Sequence, residues 1–324
     1  RPFSIMFLNG IDPWRHGGLQ LRSLLPRQSV TKGLTRQATP CKQAGRADSS
    51  HDEPGRRWFF RVVSCALSAV AGWRSRARVA SARKMTVIHT IDGAEVSIPG
   101  SNPETMFAHA LDKTVYPSQW PYTDKDFFRL DSSDDADFYA EPKLVKHLED
   151  KTLAALTKFY SSVFPKDRPF NALDICSSWV SHYPPDPKPA RLAITGMNAE
   201  ELKRNTQATD WSRQDLNSVP KLPYKDAEFD VVTNTVSVDY LTKPLEVFTE
   251  VGRVLRPGGL AIVAFSNRCF LSKLVAIWSV GDPDDRAEVA ASYFHFAGCF
   301  EDPEVVDLSP PDSDPLYVVC ARRK

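Results

Sequence analysis

The stretch "DAEFDVVTNTVSVDYLTKPLEVFTEVGRVLRPGGLAIVAFSNR", residues 226–268, decides the fold. Its run "FDVVTNT" (229–235) is apolar and β-branched over the length of a buried strand. In "PLEVFTEVGRVL" (244–255), Leu245, Phe248, Val251 and Leu255 fall on one face of a helix. "RPGG" (256–259) ends that helix, because proline cannot continue it and glycine suits the turn. "LAIVAF" (260–265) is then a second buried strand. Strand, helix and strand in this order form a unit of a parallel sheet.

The same alternation extends in both directions. Upstream lie the strands "ALDIC" (172–176) and "RLAITG" (191–196), the helix "AEELKRN" (199–205) and a strand near 209–214. Downstream come helical stretches at 271–279 and 284–297, then strands in "VVDLSP" and "PLYVVCA" (315–321). The last two are separated only by a turn, which predicts an antiparallel edge on a mainly parallel sheet with helices on both faces. Before the sheet, Leu144, Leu148, Leu153, Leu156, Tyr160 and Val163 recur at helical spacing, predicting an amphipathic helix over 143–163 ended by Pro165. "TVIHTIDGAEVSIPG" (86–100) alternates around Asp92-Gly93 and reads as a hairpin or a loose N-terminal arm. Three regions follow: a leader at 1–84, an arm and cap helix at 85–168, and a core at 169–324.

Charge is divided unevenly along the 324 residues. Residues 1–84 hold 16 basic against 4 acidic residues, a net +12; the rest hold 25 against 36, a net −11. An acidic body argues against nucleic acid as a partner, since phosphate binding needs basic patches. The leader is rich in Arg and Ser, and its apolar run "VVSCALSAVAGW" (62–73) precedes "RSRARVASARK". This is transit-peptide composition and points to a chloroplast. Alternatively the leader is an untranslated or disordered prefix and the protein starts at Met85 in the cytoplasm. No apolar run reaches the roughly 18 residues of a membrane helix. The six cysteines (41, 65, 176, 269, 299, 320) show no metal spacing, so no metal site is expected.

Within 226–268, Glu250, Arg253, Val254, Leu255, Pro257, Gly258 and Gly259 resemble the second half of class I S-adenosylmethionine-dependent methyltransferases of the type 11 group. The ending "SPPDSDPLYVVCARR" (309–323) is similar to the last strand of that fold, and the resemblance covers roughly 170–324. "DICSSWVSHYP" (174–184) further resembles a plant and algal methyltransferase-like branch. The resemblance implies a Rossmann-like sheet of seven strands, S-adenosylmethionine as cofactor and a small-molecule methyl acceptor. It places Asp174, Cys176, Ser177 and Ser178 at the methionine and ribose end. Gly196 and Asn198 stand at the ribose diol, Asp215 and Leu216 at the adenine, and Asn234 to Val236 along the methionine side.

Two positions depart from the family. Cys176, Ser177 and Ser178 replace the glycines of the first loop, where glycine allows positive φ and close approach. A non-glycine residue forced left-handed costs roughly 1–2 kcal/mol. Asn198 replaces an acid, exchanging a charged hydrogen bond for a neutral one at a cost of about 1 kcal/mol. Together they weaken binding by roughly ten- to a hundredfold. The expected function is therefore a methyltransferase; the alternative is a non-catalytic methyltransferase-like binding protein with a degenerate loop. Neither the GxGxxG of a dinucleotide enzyme nor the GxSxG of a serine hydrolase occurs.

Methyl transfer is an in-line displacement that asks the protein for position, charge and, with many acceptors, a base. The candidate bases are His182, Asp239 and Tyr240. For His182 the favoured reading is a helix-start or loop histidine bonded to backbone, whereas Asp239-Tyr240 reads equally as a capping acid and a packed ring. Tyr122, Phe127, Arg129, Tyr139 and His147 form either a lid or packing on the sheet edge, with packing favoured. Cys176 without a base partner reads as an inert thiol. Trp179 reads as core, and "DSSDDAD" (131–137) as a solvated acidic loop.

Overall fold

Each apolar run of the core forms a strand. The computed structural model describes residues 87–89, 95–97, 111 and 114–324. In it β3 (Asn171–Ile175), β4 (Arg191–Gly196), β5 (Asp210–Arg213), β6 (Phe229–Thr235), β7 (Leu255–Phe265), β8 (Glu304–Asp307) and β9 (Tyr317–Arg322) form one sheet, ordered β5-β4-β3-β6-β7-β9-β8. Strands β3 to β7 are parallel. β9 runs antiparallel to β7, and β8 antiparallel to β9, giving the expected edge. β1 (Val87–His89) and β2 (Glu95–Ser97) pair antiparallel as a separate hairpin, with Ile88 opposite Val96. The leader, 1–84, with Cys41 and Cys65, lies outside the described residues.

Side-chain alternation gives the sheet two buried faces. On one, Leu173, Val232, Ala261, Val263 and Val319 pack under α4 (Pro244–Val254) and α5 (Pro283–Ala297). On the other, Ala172, Val231, Leu260, Ile262 and Val318 pack with Leu156, Phe159, Tyr160 and Val163 of α2 (Asp150–Val163). "RPGG" belongs to β7 as an irregularity: Leu255 pairs with Phe229, and the register resumes at Leu260 with Val231. Gly258 takes φ +75° there, a conformation that favours glycine. Glu250 and Arg253 are structural: Arg253 donates to the carbonyls of Leu222 and Tyr224, and Glu250 accepts from Leu222 N.

The crossover from β3 to β4 has no helix. Residues 176–190 run as irregular chain, and the prolines at 184, 185, 187 and 189 explain why, since each lacks the donor a helix needs. The face left open is covered from upstream by α2, whose Tyr160 hydroxyl lies 2.9 Å from that of Thr235. α2 itself is shorter than its periodicity predicts. It starts at Asp150, and residues 143–149 run as irregular chain with bends, their backbone bonded elsewhere: Lys143 N to Glu201 and Glu149 N to Asp314. Trp179 is only half-buried, and its indole N–H donates to Val145 O, so it is not core.

The acidic run at 131–137 also departs from expectation. Asp135, in the short α1 (Asp135–Phe138), is buried. It accepts two hydrogen bonds from Arg129 at 2.8 Å and one from Asn217 at 2.9 Å, and lies 3.2 Å from Lys273 Nζ. Lys273 is itself fully buried. Burial alone would push the Asp135 pKa up, but Arg129, Asn217 and Lys273 together hold it below the ordinary value. The neighbouring aromatics pack as favoured: Tyr122 and Phe127 are core residues around Trp120, whose ring lies 4.9 Å from that of Tyr122. Asp135→Ala takes from Arg129 its carboxylate partner and leaves the fully buried Lys273 with Asp131 at 3.2 Å, and should cost about 3 kcal/mol in urea unfolding. Lys203→Ala, which breaks only an exposed pair with Glu200, should leave the midpoint unchanged.

Candidate active site

The chain leaves β3 toward β4 on one side, and β6 lies on the other. Ligands of open α/β sheets bind at such a reversal, outside the carboxyl ends of the strands. β3 and β6 end there in Asp174, Ile175, Asn234 and Thr235.

Asp174 is buried at the base of the crevice. Its carboxylate accepts from Ser177 Oγ at 2.6 Å and from Thr233 Oγ1 at 2.8 Å. Burial pushes its pKa up to about 6 from an ordinary 3.8, against the pull of the Ser177, Ser181 and Thr233 hydroxyls. Cys176 follows at φ +54°, the left-handed conformation for which a glycine was expected. His182 (φ +58°) and Val236 (φ +45°) are also left-handed; for β-branched Val236 this is strained. Burial, then Asp174 and Asp215, pushes the Cys176 thiol up to about 12, which makes it unreactive. Ser177 N donates to Thr195 O at 2.6 Å, drawing the loop onto β4. Gly196 is required by this approach, since a Cβ there would lie 2.2 Å from Ser177 O.

The expected ribose and adenine groups are engaged within the protein. Asn198 caps α3 (Ala199–Arg204): Oδ1 accepts from Glu200 N and Glu201 N, and Nδ2 donates to Tyr139 O and Ala140 O. All four of its hydrogen-bonding positions are thereby used. Asp215 accepts from Asn217 N, Ser218 N and Ser218 Oγ, so it shapes its own turn, with one oxygen holding a single bond. Leu216 beside it is in the core.

Asn234 is the exception. It is buried, and apart from a weak interaction with the Cys176 thiol its amide oxygen and nitrogen have no hydrogen-bond partner. A buried amide in this state costs about 1–3 kcal/mol, and each such group calls for an explanation.

Among the candidate bases, Asp239 stands out. It lies on a short 3-10 turn, Val238–Tyr240, and is buried with Oδ1 unpartnered. Burial raises its pKa to about 7, although its own backbone amide and Arg286 oppose this. Tyr240 is packed, and its hydroxyl accepts from Phe270 N at 2.8 Å. His182 sits with His147 and Lys146; burial first, then those charges, lowers its pKa to about 4. Its carbonyl accepts from Thr157 Oγ1, as a loop histidine's would.

One residue had no place in the sequence reading. Glu201 is buried, accepting from Ser178 Oγ at 2.7 Å and Lys143 N at 2.5 Å. Its signal was the acid three residues after a helix cap, Asn198 to Glu201. Among the described residues no group of three His, Cys, Asp or Glu is placed to hold a metal, and no helix is long and apolar enough to cross a membrane.

The fold is that of a doubly wound α/β protein, a class in which ligands bind at the strand reversal. Residues 175–263 match a family profile described as a methyltransferase domain, of type 11. The chain is 36% identical over 73 residues to the ubiquinone/menaquinone biosynthesis C-methyltransferase UbiE of Ruegeria sp. (strain TM1040), 22% of this chain and 28% of that protein. The chain thus spans less than a third of the curated relative that it matches. Solved structures similar to it include an S-adenosylmethionine-dependent methyltransferase from Mesorhizobium loti, at 14% identity over 52% of this chain and 98% of that one, with TM-score 0.38. Another is a possible histamine N-methyltransferase from Thermotoga maritima, at 15% identity over 54% and 88%, with TM-score 0.39.

The raised pKa of Asp174 makes a stability prediction. A carboxyl that binds its proton more tightly when folded stabilises the fold fully below pH 3.8, and this contribution is lost as pH rises through about 6. The size is about 3 kcal/mol. Asp174→Asn carries no such proton, so its urea-derived stability relative to wild type should improve by about that amount between pH 4 and pH 7.

Proposed function

We propose that the protein is an S-adenosylmethionine-dependent methyltransferase acting on a small-molecule acceptor. The observation that carries this reading is Asn234. A buried amide with both its donor and its acceptor unused, at the strand reversal of a methyltransferase domain, suits a ligand end bearing both an ammonium and a carboxylate. On this test the residues fit the cofactor. Asn234, with the Cys176–Ser178 backbone, would hold the methionyl end, and Asp215, through its singly bonded oxygen, the adenine amine. The bound cofactor supplies an electrophilic methyl group on a sulfonium. Asp239 has its pKa near neutrality and an oxygen without a partner, so it can take the acceptor's proton in the range where enzymes work. Tyr240, with its hydroxyl committed to Phe270, contributes shape.

The likeness to a C-methyltransferase extends over too little of either chain to name the acceptor as a carbon nucleophile. A second reading, a binding protein without turnover, draws on two observations. Asn198 has no free hydrogen-bonding position, and no helix follows the first loop.

Calorimetric titration of the full chain with S-adenosylmethionine and S-adenosylhomocysteine tests both. Asn234→Val removes a group that the protein satisfies only through a weak interaction with the Cys176 thiol. It should raise stability by about 1 kcal/mol while weakening cofactor binding at least tenfold. Loss of stability with unchanged binding would show that Asn234 serves the fold. Transfer of labelled methyl groups to a panel of oxygen, nitrogen and carbon nucleophiles separates the readings. Turnover that Asp239→Asn lowers about a hundredfold supports the enzyme; binding with no turnover on any acceptor supports the second reading.

A further inference from the structure

The crevice has an occupant from its own chain. Residues 139–147 run as irregular chain against the loops after β3 and β4, held there by backbone and side-chain hydrogen bonds. Asn198 Nδ2 donates to Tyr139 O at 2.9 Å and to Ala140 O at 3.0 Å. Lys143 N donates to Glu201 Oε1 at 2.5 Å, and Trp179 Nε1 to Val145 O at 3.1 Å. The Lys143 ammonium sits 4.5 Å from the Phe138 ring, 5.2 Å from Tyr139 and 5.9 Å from Phe270, and donates to Phe138 O. Over 144–145 apolar burial adds little, since Leu144 and Val145 are 38% and 37% exposed, while His147 packs edge-on against Phe270 and Leu148 at the end of the segment is in the core. A segment held mainly by polar contacts at a surface is drawn from the low-stability end of a fold.

This segment also has a second conformation written into it. "KLVKHL" (143–148) contains no glycine or proline, and Leu144 and Leu148 continue the helical periodicity of α2. Pro142, just before it, suits the first position of a helix. Where α2 now starts, the cap residue Glu149 makes no side-chain capping bond. Lys146 and Asp150 already pair at 2.7 Å with the i, i+4 spacing of a helix.

We propose that residues 142–149 are a two-state element, either a strap filling the crevice or an N-terminal extension of α2, and that ligand binding selects the helix. The inference rests on the cofactor reading of the same crevice. In the strap state one oxygen of Glu201 is spent on the backbone N–H of Lys143. In the helical state that oxygen is released, and the strap's backbone groups bond within the helix. The apparent affinity is then the intrinsic one reduced by the fraction of molecules in the open state.

The test compares Val145→Ala with Val145→Gly in the full chain, using S-adenosylhomocysteine as probe. Both lose the same half-exposed side chain from the strap, but alanine favours the helix and glycine opposes it. The alanine variant should bind about fivefold more tightly than the glycine variant. Ligand should also raise far-UV helicity and speed hydrogen exchange at the Lys143 amide. Equal affinities, or exchange at Lys143 that slows on binding, would show a strap that closes over the ligand and would overturn the proposal alone. No binding by wild type or either variant would overturn the cofactor reading, and this inference with it.

Discussion

The buried carboxylate of Asp174 ties together the elements on which the crevice depends. Its two oxygens take hydroxyl hydrogens from Thr233 on β6 and Ser177 in the first loop, so one side chain fixes two adjacent strands and the turn above them. Tyr183, further along the same irregular crossover, places its hydroxyl 2.9 Å from that of Thr233 and extends the network. With no helix after β3, this hydroxyl network holds the irregular crossover against the sheet. Three left-handed non-glycine residues around it, Cys176, His182 and Val236, carry the conformational cost.

The second organising feature is the segment upstream of the sheet. The acid of Asp135 anchors its base through Arg129, Lys273 and Asn217, joining the arm, the 270s loop and the turn after β5. From that anchor the chain runs over the crevice, through the contacts of Asn198 and Glu201, before α2 begins. Anchored at both ends and polar in its attachments, this stretch is suited to moving as a unit. Asn234 and Asp239 Oδ1 are among the buried polar atoms without a hydrogen-bond partner, and on the proposed reading a ligand and its acceptor would complete them.

Much of this was legible in the sequence because strands and helices leave periodic traces. The runs at 172, 191, 229, 260 and 317 became strands, and the late pair became the antiparallel edge. The left-handed residue at the first loop was foreseen at the point where Cys176 stands. What was illegible depends on contacts far apart in the chain. Asp135 looked solvated because its cations lie at 129 and 273. Lys143 to Glu149 looked helical because periodicity records which side chains can align, whereas Glu201 and Asp314 decide where the backbone bonds go. Asn198 was placed at the right strand end, but its saturation by Tyr139 and Ala140 came from a segment with no periodic signal. Glu201 was missed because its acid doubles as an ordinary first-turn helix residue.

The central claim is that the reversal between β3 and β6 remains a working cofactor crevice although Cys176 has replaced glycine. A crystal structure of the full chain grown with S-adenosylhomocysteine tests this most directly. The account predicts the ligand at the carboxyl ends of β3 and β6, with the Asn234 amide bonded to its methionyl end. A crevice with Asn234 still unpartnered at millimolar ligand, or the ligand bound elsewhere on the sheet, would contradict it.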